Sequence, residues 1–289
     1  MFDIFTLTEV VLGPLLVARV PHLNPAPGGI VVSPDAPVLD LEVVVPEHNA
    51  AGLVQQRPQP ARIGAEATGE HSAVVTIAPD VSLASPEALD RVAAALDDEP
   101  DRPIAVYPWH KTASRYEALS TFFVLASAMT SGAFTVLGSA LKPARTPSSL
   151  VASKNGATGA TRVFGGGHIV AERKYPNGVR ELVEGWTDRI VNARSAQPVA
   201  LLLTIVFFYG AAATAVRLAA DPSWAHFGWY AAYVFSISIC LRQLGKFARL
   251  ATLLYPITLA FFFAITLRTS LTLRGQRARQ TREARAARR

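Results

Sequence analysis

Short apolar stretches alternate with polar ones up to about residue 110, and long apolar runs dominate the chain after residue 197. The short stretches are rich in β-branched residues and bounded by proline, a pattern typical of strands. Residues 85–96 begin with Ser-Pro-Glu and carry apolar side chains on one face, which predicts a helix between the second and third stretches. Strands that alternate with helices predict an α/β domain whose sheet is rich in parallel strands. The predicted strands are residues 39–45 (LDLEVVV), 72–78 (SAVVTIA) and 103–107 (PIAVY).

The long apolar runs are of a length that suits membrane helices. A helix crosses the hydrocarbon layer with about 20 apolar residues, and these runs are apolar on every face. They predict a bundle of about three transmembrane helices, and the alternative is three buried helices of a globular core. The runs are residues 198–220, 224–241 and 250–267. A further apolar stretch at 122–141 is interpreted as an interfacial helix, since a fourth crossing would divide the α/β domain.

Composition and charge agree with a membrane protein but leave a conflict in topology. Half of the residues are hydrophobic, only 17% are charged, and the net charge is +6. Arg242, Lys246 and Arg249 lie between the second and third runs, and the tail from Arg268 carries eight arginines. Cationic segments favour the cytoplasmic side, yet three crossings place these two on opposite sides. Pro256 makes the third run the candidate for a re-entrant or interfacial segment. We expect the tail to meet anionic headgroups and not nucleic acid.

The segment between the predicted sheet and the long runs contains three consecutive glycines and an amphipathic stretch. The glycines at 165–167 precede His-Ile-Val-Ala, which has the pattern of a strand, so a turn is favoured over a phosphate-binding loop. Residues 175–192 place Leu182, Trp186 and Ile190 on one face, as an interfacial helix would. The predicted division of the chain is 1–38 membrane-proximal segment and Pro/Gly linker, 39–170 α/β core, 171–197 amphipathic interfacial helix, 198–268 transmembrane helices and 269–289 Arg-rich cytoplasmic tail.

Five stretches together resemble a known enzyme family. They are VVVPEHNAA (43–51), AVVTIAPDVSLASPEAL (73–89), YPWHKTASRYEALSTFF (107–123), VFGGGHIVAERKYPNGVRELVEGWT (163–187) and LLYPITLAFFF (253–263). They resemble family-2 glycosyltransferases with the GT-A fold, in the membrane-bound branch that includes the carotenoid-acid glycosyltransferases. The most specific of these is the Tyr-Pro-x-Gly…Leu-x-Glu-Gly-Trp pattern in the fourth stretch.

The resemblance implies a function and a set of site residues. A sugar would pass from a nucleotide-sugar donor to a lipid or isoprenoid acceptor, with Mn²⁺ or Mg²⁺ on the donor diphosphate. The protein would be integral to the cell membrane, with its α/β domain on the cytoplasmic side. Asp80 would bind the metal, although it also suits a turn cap. Tyr175 and Trp186 would contact the acceptor, although Trp186 also suits a simple interfacial anchor. The expected donor-binding residues are Glu47, His48, Asp80, His110 and Arg115.

The chain also departs from the family pattern. Ala78 replaces the first acid of the family's Asp-x-Asp motif, and Asp or Glu is absent between Glu117 and Glu172, where the family has its general base. An imidazole titrates near neutrality, so His110 or His168 could replace this base. His168 follows the triple glycine and is the candidate, with a solvent-facing loop histidine as the alternative. The second hypothesis is therefore a catalytically inactive relative that acts as a membrane scaffold or partner.

Overall fold

A computed structural model describes residues 4–18, 20–23, 41–44, 73–78, 81–85, 87–136, 148–154, 156–192 and 196–286. The helices are α1 Ile4–Leu16, α2 Ala88–Asp98, α3 Thr121–Ser131, α4 Val179–Asn192, α5 Pro198–Ala220, α6 Trp224–Leu244, α7 Arg249–Leu253 and α8 Tyr255–Ala286, and a short 3-10 helix spans Arg115–Ser120. The strands are β1 Leu41–Val44, β2 Ala73–Ile77, β3 Val81–Leu83, β4 Ile104–Tyr107, β5 Trp109–Lys111, β6 Leu150–Lys154, β7 Arg162–Gly165, β8 Val170–Glu172 and β9 Gly245–Lys246. All three predicted strands are present, as β1, β2 and β4.

The first sheet has five strands in the order β1-β2-β6-β4-β7. β1 pairs with β2 and β4 with β7 in parallel, whereas β6 is antiparallel to both β2 and β4. Four strands therefore run in one direction and β6 in the other. The expected richness in parallel strands is present, but the sheet is mixed. Its core is apolar because α2 packs Val92 and Leu96 among Val75, Ile104 and Leu150.

The second sheet is smaller and joins distant parts of the chain. Its order is β3-β8-β5-β9. β5 pairs in parallel with β8 on one side and with β9 on the other. The helices α5 to α8 form a helical region after the first eight strands. Because β9 lies between α6 and α7, a loop of this helical region forms part of the second sheet.

Two helices that the sequence placed near the membrane surface pack inside the helical region. α1 lies against α5 and α6. A Cβ on Gly13 of α1 would lie 2.6 Å from the Phe207 ring, so glycine is what lets α1 approach α5. α3 is buried along most of its length and ends at Gly132, whose φ of 69° is left-handed. α3 belongs to the core between the α/β domain and α5, and the end of the stretch predicted to be interfacial (122–141) lies outside the described residues.

Among the described residues, α5 and the Tyr255–Arg274 part of α8 are long and apolar enough to cross a membrane. Only 39% and 22% of their most apolar segments are buried within the protein. A core helix of a soluble protein is mostly buried, whereas these helices leave apolar surface open. They indicate that the protein associates with a membrane.

The chain approaches the α/β domain on both sides of Tyr255. On one side β9 pairs with β5, and farther along α8 packs against α4 and the 3-10 helix. Between them, the Tyr255 hydroxyl donates to the Ala211 carbonyl at 3.0 Å, and its ring stacks on Tyr230 at 4.9 Å, deep in α5 and α6. Pro256 is the second residue of α8, where its missing N–H has no helical partner, so it does not interrupt the helix.

Candidate functional site

The direction of the strands brings several predicted site segments to one edge of the first sheet. β1, β2, β4 and β7 end on the same side, where ligands bind in open α/β sheets. Glu47 and His48 follow β1, and Asp80 follows β2, but all three lie outside the described residues. His110 lies in β5, shortly after β4, and the triple glycine begins with Gly165, the last residue of β7.

The triple glycine forms a tight connection between two strands. A Cβ on Gly166 would lie 2.5 Å from the Tyr107 carbonyl oxygen and 2.8 Å from that of Val170, so only glycine lets the backbones approach this closely. β8 follows after a turn, as expected, and the helix N-terminus of a phosphate-binding loop is not there. His168 is exposed on this turn, with its ring centroid 6.3 Å from that of His22.

A buried cluster of charged residues surrounds Glu172 in the second sheet. Glu172 and Lys174 are 2% and 7% exposed. The Lys174 Nζ is ion-paired with Oε1 of Glu172, and Arg189 Nη2 lies 3.4 Å from the same oxygen. The register of β5 and β8 places His110 beside Glu172, with Nδ1 3.6 Å from Oε2. Two cations thus face one carboxylate.

His110 is neutral in this cluster. Burial lowers the pKa of its imidazole well below the ordinary value, and the nearby charges of Lys174 and Arg189 lower that pKa further. The ring also packs edge-on against Tyr107, with centroids 5.7 Å apart. The predicted donor-binding residue is therefore mostly enclosed by protein, with 5% of its surface exposed.

A second buried carboxylate, Glu117, lies in the 3-10 helix. Arg173 donates to its Oε1 through Nη2 at 2.6 Å and Nε at 3.0 Å, and the Ala113 amide donates to Oε2 at 2.7 Å. Burial would raise the pKa of Glu117, but these hydrogen bonds and that of the Ser114 amide outweigh it and hold the pKa below the ordinary value. Arg115, predicted to bind the donor, is exposed in the same helix.

The two carboxylate clusters meet at a small cavity of about 10 Å³. Its volume suits about one water molecule, so a sugar does not fit in this conformation. The cavity is lined by His110, Lys111, Thr112, Glu117, Ser120, Val124, Lys174 and Phe247. Phe247 follows β9, so the helical region contributes directly to the wall of this site.

The two predicted acceptor-binding residues are packed between α4 and the helical region. Trp186 is 5% exposed, stacks on Phe123 at 4.7 Å and donates from Nε1 to Ser120 Oγ at 2.9 Å. Tyr175 has a φ of 55° and packs its ring edge-on against Trp186 at 5.7 Å. In this conformation Trp186 holds α4 against α3 and the 3-10 helix, and Tyr175 packs against Trp186.

Sequence reasoning did not single out Glu117, Glu172 or Lys174. The sequence contained a signal, because Glu117 and Glu172 stand at the two ends of the long interval without Asp or Glu. The buried carboxylates of the site lie at the two ends of that interval and not within it.

Groups of three or more His, Cys, Asp or Glu side chains that would hold a metal are absent from the described residues, which do not include Asp80. No protein-family model, curated protein or solved structure matches the chain. The interpretation of the site therefore depends on its own geometry.

Proposed function

We propose that this chain is a membrane-bound glycosyltransferase-like protein of GT-A type that transfers a sugar from a nucleotide-sugar donor to a lipid or isoprenoid acceptor. The observation that carries the proposal is the pairing of β9 with β5. It joins the loop after α6 to the strand that bears His110, so one site borders both the α/β domain and the membrane helices. A soluble donor and a lipid acceptor need such a junction to meet.

The donor would bind at the sheet edge where β1, β2, β4 and β7 end. The exposed cations Lys111 and Arg115 follow β4 there and suit an anionic diphosphate. Asp80 follows β2, and a single carboxylate together with phosphate oxygens is a common way of holding Mg²⁺. When bound, Mn²⁺ or Mg²⁺ would neutralise the diphosphate leaving group. The described residues provide no further ligands for the ion.

The acceptor hydroxyl must lose its proton as the new bond forms. Glu117 and Glu172 are poor candidates for this base, because ion pairs with arginine and lysine favour their charged, weakly basic forms. His168 is an exposed imidazole at the same sheet edge and is the base in this proposal. Tyr175 and Trp186 would border the acceptor from the side of α4.

The contacts of the third apolar run also support a topology. If residues 250–254 enter the bilayer and α8 returns to the same side, the Arg242–Arg249 loop and the arginine tail both become cytoplasmic, as the positive-inside rule favours. The α/β domain, which pairs with that loop through β9, would then lie on the cytoplasmic side.

A second candidate function is favoured by a separate observation. Both buried carboxylates are already paired with cations, and the cavity between them has room for about one water molecule. These features also suit a catalytically inactive relative that keeps the fold as a membrane scaffold.

Calorimetry on the full chain in detergent would separate the two candidates. We would titrate uridine and guanosine diphosphates with and without Mn²⁺, on wild type, Asp80→Asn and the control Asp90→Asn, an exposed carboxylate of α2. Metal-dependent binding that Asp80→Asn abolishes and Asp90→Asn preserves supports a donor site. Folded protein that binds neither nucleotide supports the scaffold.

A further inference from the structure

A groove runs along the outer face of α6. It encloses about 310 Å³ between α6 and Leu253 at the end of α7. Its lining residues recur every fourth position from Phe227 through Phe235 to Ile239, so they form one stripe along the helix. From Phe227 to Arg242 the stripe is about 22 Å long at the rise of an α-helix. The groove is therefore long, narrow and mostly apolar.

The two ends of this groove differ in chemistry. Phe227, more than half exposed, lies at one end, and Ser238 and Arg242 lie at the other. Arg242 is exposed, and no ion pair or hydrogen bond of its side chain is seen in the part of the chain that the structure describes. The sequence has no Asp or Glu from Pro222 to Arg282, so the charge at this end is positive. An apolar groove that ends in a free guanidinium suits a hydrocarbon chain with an anionic head.

The cationic end of the groove leads to the charged site. Four residues after Arg242, Lys246 lies in β9 opposite Lys111 of β5, and both side chains are exposed. Lys111 and Phe247 line the cavity between the two carboxylate clusters. A head group held at Arg242 would thus lie near the end of α6 that continues into β9.

We infer that the α6 groove binds the chain of a single-chain lipid with an anionic head group and holds that head group at Arg242. A volume near the lower end of the range for small-molecule sites suits one hydrocarbon chain and not the two of a diacyl phospholipid. The identification of this lipid as the acceptor rests on the proposed function; the binding itself does not.

The test is equilibrium binding of radiolabelled geranylgeranyl phosphate to the full chain in nanodiscs of dioleoyl phosphatidylcholine. Arg242→Gln removes the head-group contact, and Arg268→Gln is its control on the exposed face of α8. Ala231→Phe fills the groove, and Ala225→Phe is its control on the same helix, outside the groove lining. We expect the two groove variants to weaken binding by about tenfold or more, as the loss of a charge-assisted contact does, and the controls to match wild type.

Three results would overturn the inference: equal binding by groove variants and controls, equal displacement by uncharged geranylgeraniol, or equal displacement by dioleoyl phosphatidylglycerol. The assay contains no nucleotide and measures no transfer, so it fails independently of the proposed function. Lipid binding without nucleotide binding would support the lipid site in the groove and contradict the proposed transferase function. Nucleotide binding without lipid binding would support the donor site and contradict the lipid site in the groove.

Discussion

The two sheets of the α/β domain are held together by different forces. In the first sheet, Val75, Ile104 and Leu150 are fully buried among other apolar side chains. In the second, the buried positions include His110 and Glu172, with Lys174 two residues after the end of β8. Burial of apolar area is favourable without a specific partner, whereas a buried charge is tolerated only with its counter-charge. The first sheet is thus a scaffold, and the second is a set of mutually dependent contacts at the junction with the helices.

The variant Glu172→Gln is expected to change stability the most. It leaves Lys174 buried without its carboxylate, and we expect the free energy of unfolding to fall by about 3–5 kcal/mol in urea titrations in detergent. The double variant Glu172→Met, Lys174→Met removes both charges and should restore stability to near wild type. A loss of under 1 kcal/mol in the single variant would show that the pair is not what holds the second sheet.

A smaller effect should appear as a pH dependence. His110 has a lowered pKa in the folded protein, so below the ordinary pKa of about 6.5 the unfolded chain binds a proton that the folded protein does not. Stability should therefore fall as the pH drops below about 6.5, and His110→Phe should flatten that part of the profile. His168→Asn, at an exposed imidazole, is the matched control. Identical profiles for wild type and His110→Phe would contradict a neutral, buried His110.

Shortening a buried side chain in the first sheet should cause only a small loss of stability. Ile104→Val removes one methylene from a fully buried position in β4. We expect a loss of about 0.5–1.5 kcal/mol, with no change in pH dependence, because the change leaves no charge unpaired. A pH-dependent loss would show that the two sheets do not respond as separate regions.

The smallest effect is expected at an exposed ion pair. Arg180 and Glu184 lie one turn apart on α4, with Nε and Oε1 2.8 Å apart in contact with solvent. Arg180→Ala should leave the midpoint of urea unfolding unchanged, because solvent screens such pairs. A shift comparable to that of Glu172→Gln would mean that burial is not what gives an ion pair its importance here.

The parts of the fold that follow local pattern were predictable, and those that depend on distant pairing were not. β1, β2 and β4 were predicted from apolar runs that each end before a proline, and α4 and α5 from their periodicity and length. β9 has only two residues, and nothing in Gly-Lys indicates a strand. Its pairing exists because α6 ends beside β5, which is a property of the whole fold.

The candidate site shows the same limit. His110 was selected from its place after a predicted strand, and the structure puts it beside Glu172, 62 residues along the chain. Residues 172–174, Glu-Arg-Lys, read as an ordinary polar segment. Only the turn at the triple glycine and the pairing of β8 with β5 make the first and third of these residues buried partners.

The sequence by itself determined which segments are apolar enough to form strands and membrane-capable helices, because that depends on local composition and period. Only the tertiary structure decided that the loop after α6 joins the second sheet, that Pro256 begins a helix, and that Glu117 and Glu172 are enclosed with their cations. The reason is physical: hydrophobic periodicity acts over a few turns of chain. The pairing of charges depends on which distant residues are brought within about 4 Å of each other.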